Sequence, residues 1–156
     1  MEDKRITKTK RALKSALLEL LTTQAFDVIS ITELCKIANV SRITFYTHYK
    51  DKFALLDDIF NDMLIIGKEG YHRRQEENNP ENNLTQGYLN VLDSILSLYY
   101  ERYDFFQHVV PETNPYLAFR FYRILLDTVE SHTDKLKASY SLKYSARQIA
   151  GFICFG

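Results

Sequence analysis

The sequence predicts an all-α chain with a small N-terminal head of three helices and a larger helical-bundle body. Three observations lead there. Only 5 Gly and 3 Pro interrupt 156 residues, too few for a turn-rich β architecture. Apolar residues recur at three-, four- and seven-residue steps through most of the chain. The charge, net zero overall, is divided: residues 1–52 carry ten Lys/Arg against six Asp/Glu, and residues 53–156 carry ten against fourteen. A basic head on an acidic body directs one end toward an anionic partner.

In chain order, Ile6, Leu13, Leu17, Leu20 and Leu21 mark one face of a first helix ending near Gln24, with Lys8, Lys10, Arg11 and Lys14 elsewhere on its surface. Phe26 and Val28-Ile29 form a short apolar hinge. Ser30 or Thr32 suits the N-cap of a second helix about two turns long. Glu33 adds negative charge to its first turn, and Leu34, Ile37 and Ala38 face inward. Asn39 tolerates the left-handed conformation that ends a helix tightly. Val40 plugs the turn, and Ser41 caps a third helix reaching about Tyr49. Two short helices joined in this way form a helix-turn-helix.

A fourth helix begins near Asp51, with Phe53, Leu56, Phe60, Met63 and Leu64 at helical spacing, and links a 1–52 head to a 53–156 body. Residues 75–83, QEENNPENN, hold no apolar side chain and predict a solvated, mobile connection. Residues 84–103 read as a helix apolar on two faces, hence packed between neighbours. DFFQHVV is a short helix ended by Pro111, and a longer one runs over 115–136 with Pro115 in its first turn. The final apolar run, from about Ser145, stops at Gly156 as though partway through a helix. Its Ile149, Phe152, Ile153 and Phe155 predict an apolar patch in need of cover.

In a helix-turn-helix the second helix enters the DNA major groove, its early residues against base edges. Arg42 suits bidentate hydrogen bonding to guanine O6 and N7, and Thr44 and Thr47 suit a thymine methyl or a phosphate. Phe45 is the inward anchor, and Ile43 is a second apolar side chain that calls for a core. Tyr46 and His48 flank the exposed side within reach of phosphate oxygens. Lys50 and Lys52, with the free N–H groups opening the fourth helix, make a phosphate-binding corner. Thr32 and Ser41, at the starts of the two helices, complete the DNA-facing set.

The basic first helix, ITELCKIANVS and TFYTHYKDKFALL, spanning Lys8 to about Phe60, resemble the N-terminal DNA-binding domain of the tetracycline-repressor (TetR) family of transcription regulators. The resemblance covers about a third of the chain. It implies that Tyr46 and Lys52 touch the DNA backbone, that Asn39 stands at a turn glycine, and that Tyr49 occupies an aromatic position commonly held by Phe. It also implies a homodimer on a palindromic operator, repression more commonly than activation, and an all-helical body that binds a small effector and dimerises.

Rings crowd residues 99–122. They are either a bulky core with exposed rims or a pocket for a flat or apolar effector, lined by Tyr99, Tyr103, Phe106, Phe119 and Tyr122 with Arg120 or Arg123 as polar handles. Cys35 and Cys154 lack metal or disulfide spacing, so reduced thiols in a cytoplasmic protein are the expectation. No apolar run approaches the roughly 18–20 residues that span a bilayer. The i, i+4 pairs His72/Glu76 and His108/Glu112 have no third ligand in view, so no metal is expected. With no glycine-rich phosphate loop, nucleophile elbow or HExxH, neither a cofactor nor catalysis is expected. The leading alternative is a regulator-derived adaptor that no longer reads DNA.

Overall fold

A computed structural model describes residues 4–137 and 143–155. Among them lie α1 (Lys4–Leu21), a 3-10 turn (Phe26–Val28), α2 (Ile31–Ala38), α3 (Arg42–His48), α4 (Lys52–Asn78), α5 (Leu84–Glu101), α6 (Tyr103–Phe106), α7 (Pro115–Lys137) and α8 (Ala146–Phe155). No strand occurs among the described residues. The α1 helix stops three residues short of Gln24, where Thr22 and Thr23 turn their hydroxyls back onto the carbonyls of Glu19 and Leu20.

One apolar cluster fills the head. Leu13 and Leu17 of α1, Leu34 of α2, Phe45 of α3 and Leu55 and Leu56 of α4 are all fully buried, with Phe26 of the 3-10 turn among them. The same cluster continues into the body through Phe60, Phe105, Phe106 and Leu117. A smaller cluster of Val91, Leu126 and Val129 joins α5 to α7. Two polar ties hold the start of α7 in place, one to the 3-10 turn of the head and one to the first turns of α4. The side chain of buried Asn114 accepts from Phe26 N–H (2.7 Å) and donates to the His108 carbonyl (3.1 Å), and Arg120 pairs with Asp57 of α4. The Phe26 and Tyr116 rings stack beside these ties, 5.7 Å apart.

The QEENNPENN stretch differs from its expectation as a mobile connection. The α4 helix continues through Asn78, and only residues 79–83 turn the chain. Asn79 and Asn90 are buried at 4% and 0% exposure because amides satisfy amides. Asn90 donates to Gln75 Oε1 (2.5 Å) and Asn78 Oδ1 (2.8 Å), Gln86 donates to Asn90 Oδ1, and Asn79 bonds Gln75 and both backbone groups of Asn83. Each amide carries donors and an acceptor, so such a network closes without apolar side chains. Composition marks the segment as polar but does not show that its polar groups pair with one another. Asn90→Ala leaves several of these groups unpaired in a buried site and is expected to cost about 1–3 kcal/mol, read as a lower urea midpoint.

The apolar patch expected at the C-terminus cannot be placed: the side chains of Phe152, Ile153 and Phe155 lie outside the described residues, and Ile149 is half-buried.

Candidate nucleic-acid interface

The turn is built as the residue types require. Ser30, not Thr32, caps α2: its Oγ accepts from Glu33 N–H (3.2 Å), and the Glu33 carboxylate accepts from Ser30 N–H (2.9 Å) and hydroxyl (2.6 Å). This capping box holds the Glu33 carboxyl below its ordinary pKa through the Ser30 hydroxyl and N–H bonds. Thr32 is left exposed in the first turn of α2. Asn39 closes the helix at φ 52°, ψ 47°, the left-handed conformation expected of it. Ser41 Oγ then accepts from Thr44 N–H (3.0 Å) to open α3.

Phe45 is the fully buried anchor of α3, and Tyr49 follows it into the core at 5% exposure. Ile43 does not join them. It is 83% exposed because a seven-residue helix has one inward row and Phe45 occupies it. Arg42, Tyr46, Thr47 and Lys50 are exposed beside Ile43, and Thr44 and His48 are half-buried. The hydroxyls on this face point inward: Thr44 Oγ1 bonds Ser41 Oγ (2.8 Å), and Thr47 Oγ1 donates toward the carbonyls of Ile43 (2.9 Å) and Thr44 (3.0 Å). The structure therefore brings Ser41, Arg42, Thr44, Tyr46, Thr47, His48 and Lys50 together around one short helix, with Thr32 at the start of α2.

Lys52, expected at a phosphate-binding corner, is engaged within the protein. Its ammonium donates to the carbonyls of Phe26 (2.9 Å), Asp27 (2.7 Å) and Ile29 (2.9 Å), using all three hydrogens. It lies over the Phe26 and Phe53 rings, 5.0 and 5.8 Å from their centroids. Burial lowers its pKa, with Asp27 pulling the other way. The side chain thus binds the start of α4 to the 3-10 turn, while Asp51 caps α4 by accepting from Ala54 N–H (2.7 Å). A ring-rich sequence with Lys at a helix start does not reveal that three carbonyls converge there.

Part of the basic face of α1 is likewise committed internally. Lys14 reaches Asp62 (2.6 Å) and Asp58 (3.1 Å), and Tyr49 donates to Asp58 (2.6 Å), tying α1, α3 and α4 together. Burial alone would raise the Asp58 pKa, but the Tyr49 phenol and Lys14 ammonium outweigh it and hold the carboxyl below its ordinary value. A carboxyl depressed in the folded state stabilises it above the unfolded pKa, and that contribution fades as pH falls through the folded one. Unfolding free energy is therefore expected to fall on acidification below about pH 4. Asp58→Asn should lessen that fall in urea titrations run across pH.

The body holds a cavity of about 510 Å³ among α4, α5 and α7, within the size range of small-molecule sites. Phe60, Met63, Leu98, Phe106, Phe121 and Ile124 supply apolar wall, and Lys68, Tyr71, Ser131 and His132 are among the polar residues lining it. The Tyr71 phenol lies 3.3 Å from His132 Nδ1, and its pKa is raised by burial. Of the five rings that the sequence offers as pocket lining, only Phe106 lines this space, joined by Phe121 from the same ring-rich stretch. Tyr99 stacks on Phe106 from outside (5.6 Å, 28°). Tyr103, Phe119 and Tyr122 are 54%, 58% and 39% exposed, Arg123 is on the surface, and Arg120 is engaged by Asp57. Sequence reasoning missed Met63, Gly67 and Tyr71, although their four-residue spacing on α4 faces Ile124, Thr128 and Ser131 at helical spacing on α7. Among the described residues no group of three or more metal-ligating side chains occurs, and no helix is long and apolar enough to cross a membrane.

The fold and this surface define a helical chain with a helix-turn-helix head. No model of a known protein family matches it. It is 40% identical over 58 residues to a Bacillus subtilis (strain 168) protein described as the uncharacterized HTH-type transcriptional regulator YxbF; that match covers 37% of this chain and 14% of the relative, so the chain spans only a small part of that protein's length. Among solved structures it is similar to the dihydroxyacetone kinase operon activator DhaS, with a TM-score of 0.54 and 23% identity over 94% of this chain and 80% of that one. At that identity the likeness concerns the fold.

Proposed function

We propose that this chain is a cytoplasmic, sequence-specific DNA-binding transcription regulator of the tetracycline-repressor type, acting as a homodimer on a palindromic operator. The observation that carries the reading is the α2–α3 pair: a capped, tightly turned helix-turn-helix that exposes Arg42, Tyr46, Thr47 and Lys50 on one face while Phe45 holds the other in the core. The 58-residue match to a regulator of HTH type supports it. Paired heads one DNA turn apart, or a multiple of it, would meet symmetric half-sites. Arg42 would read a base edge, while Thr32, Tyr46, His48 and Lys50 would hold phosphates.

The α4–α5–α7 cavity would take a small apolar or aromatic effector with a polar end near Tyr71 and His132. Its occupancy would release the operator to the extent that the effector prefers one spacing of the heads over the other. The tie of Asn114, just before α7, to Phe26 of the head and that of Arg120 on α7 to Asp57 of α4 offer a route for that preference.

The test is binding of the purified chain to a pool of random-sequence DNA, with its molecular mass measured in parallel. A regulator enriches a palindromic sequence and binds it as a dimer. Its affinity falls with salt by about 0.9 in log K per log salt for each phosphate neutralised. A sequence-indifferent or DNA-silent protein would instead be the adaptor. Within a specific complex, Arg42→Ala is expected to cost about 1–3 kcal/mol and to relax preference at one base pair, read from the enriched sequences. Loss of equal size on every sequence would remove Arg42 from the reading role.

A further inference from the structure

Resting on the DNA-binding reading above, we infer that Ile43 and Thr47 form a methyl-reading surface that selects thymine in each half-site by its C5 methyl group. Three observations on α3 support this. Ile43 is the most exposed large apolar residue among those described, at 83%, in the first turn of the helix that the fold presents outward. Thr47 stands one helical turn further on the same face, and its hydroxyl is turned back onto the carbonyls of Ile43 and Thr44. Its methyl is thereby the group left to meet an outside partner. Thr44 is half-buried, and its hydroxyl shares a hydrogen bond with that of Ser41 at 2.8 Å. At Ile43 and Thr47 the outward row of α3 therefore offers branched hydrocarbon more than hydrogen-bonding capacity, with Tyr46 and His48 left to the phosphates.

An aliphatic side chain exposed to this degree forgoes the stabilisation that burial would give it, and nothing among the described residues covers it. In the major groove, the thymine C5 methyl is the apolar feature that the four bases present. Burying it against Ile43 would recover that stabilisation for both partners. Arg42, adjacent in sequence and also exposed, favours a guanine, so the two side chains together describe a half-site in which guanine and thymine lie close together.

The experiment uses the sequence enriched from random DNA by the full chain, with each thymine replaced in turn by deoxyuridine, which removes only the methyl. At about 0.8 kcal/mol per buried methyl-sized group, one such replacement should weaken binding about fourfold. Replacement in both half-sites should weaken it about fifteenfold. Ile43→Ala should bind thymine and deoxyuridine sites alike at its position while keeping the salt dependence of the wild type. Thr47→Val, which keeps the methyl and drops the hydroxyl, should retain discrimination at the second position; Thr47→Ser should lose it. The inference is overturned if the wild type binds the deoxyuridine sites as tightly as the thymine ones, or if Ile43→Ala discriminates as well as the wild type. Failure to enrich any sequence would instead overturn the DNA-binding reading itself. Because both side chains are exposed, unchanged thermal unfolding of the variants separates lost contact from lost fold.

Discussion

Phe45→Ala is expected to destabilise the head by about 3–5 kcal/mol, the usual cost of truncating a buried ring. It should abolish sequence-specific DNA binding at temperatures where the body stays helical. The ring is fully buried and packs against Tyr46 at 5.5 Å and Tyr49 at 5.9 Å. It is the single fully inward side chain of a seven-residue helix, and a helix so short owes its persistence to tertiary packing rather than to propensity. Losing the anchor therefore loosens the whole of α3, including the Ser41 cap and the inward hydroxyl bonds of Thr44 and Thr47. Circular dichroism and denaturant unfolding would read the stability, and binding to the enriched DNA sequence would read the function. A variant with wild-type unfolding and wild-type binding would show that α3 is held by something other than Phe45. Phe45→Leu, which keeps most of the volume, should recover most of both.

The head was legible because its signals are local. Asn39 at a helix end, Ser41 three residues before Thr44, and one large ring on a short helix each fix a backbone choice within a few residues, and the structure shows each as read. Ile43 could not be assigned in this way. Its hydrophobicity calls for a core, and only the packing of α3 shows that the inward row is already taken. The cavity was illegible for a related reason. Periodicity shows that α5 has two apolar faces but not which neighbour covers each, so Tyr99 and Tyr103 were grouped with Phe106 although they lie on its outer side. In the turn after α4 the residues are mostly exposed, as composition predicts, but composition counts polar groups without showing that Asn90, Gln75 and Asn79 satisfy one another.

Lys52→Met is expected to act on stability first, and this separates two roles that sequence alone cannot. A phosphate clamp stands in water in the free protein. Removing it leaves folding unchanged and lowers the steepness of the salt dependence by about 0.9. Lys52 instead closes three backbone carbonyls, two of those hydrogen bonds being part-buried, and rests on Phe26 and Phe53. Methionine keeps the apolar stem and withdraws the donors. The carbonyls of Phe26, Asp27 and Ile29 then lose a charged partner; that of Phe26 keeps the Ile29 N–H and that of Asp27 is open to water, and losing such charged hydrogen bonds costs about 1–3 kcal/mol. The 3-10 turn they belong to carries Phe26, whose N–H is held by Asn114 of the body. The substitution should therefore also loosen the junction between head and body and weaken DNA binding indirectly, by misplacing α3 relative to the rest of the head. The expected result is a lower unfolding midpoint, with a salt slope within error of the wild type on whatever specific binding remains. An unaltered midpoint together with a slope reduced by about one unit would return Lys52 to the phosphate backbone, and would mean that its three carbonyl bonds are exchanged for DNA when the complex forms.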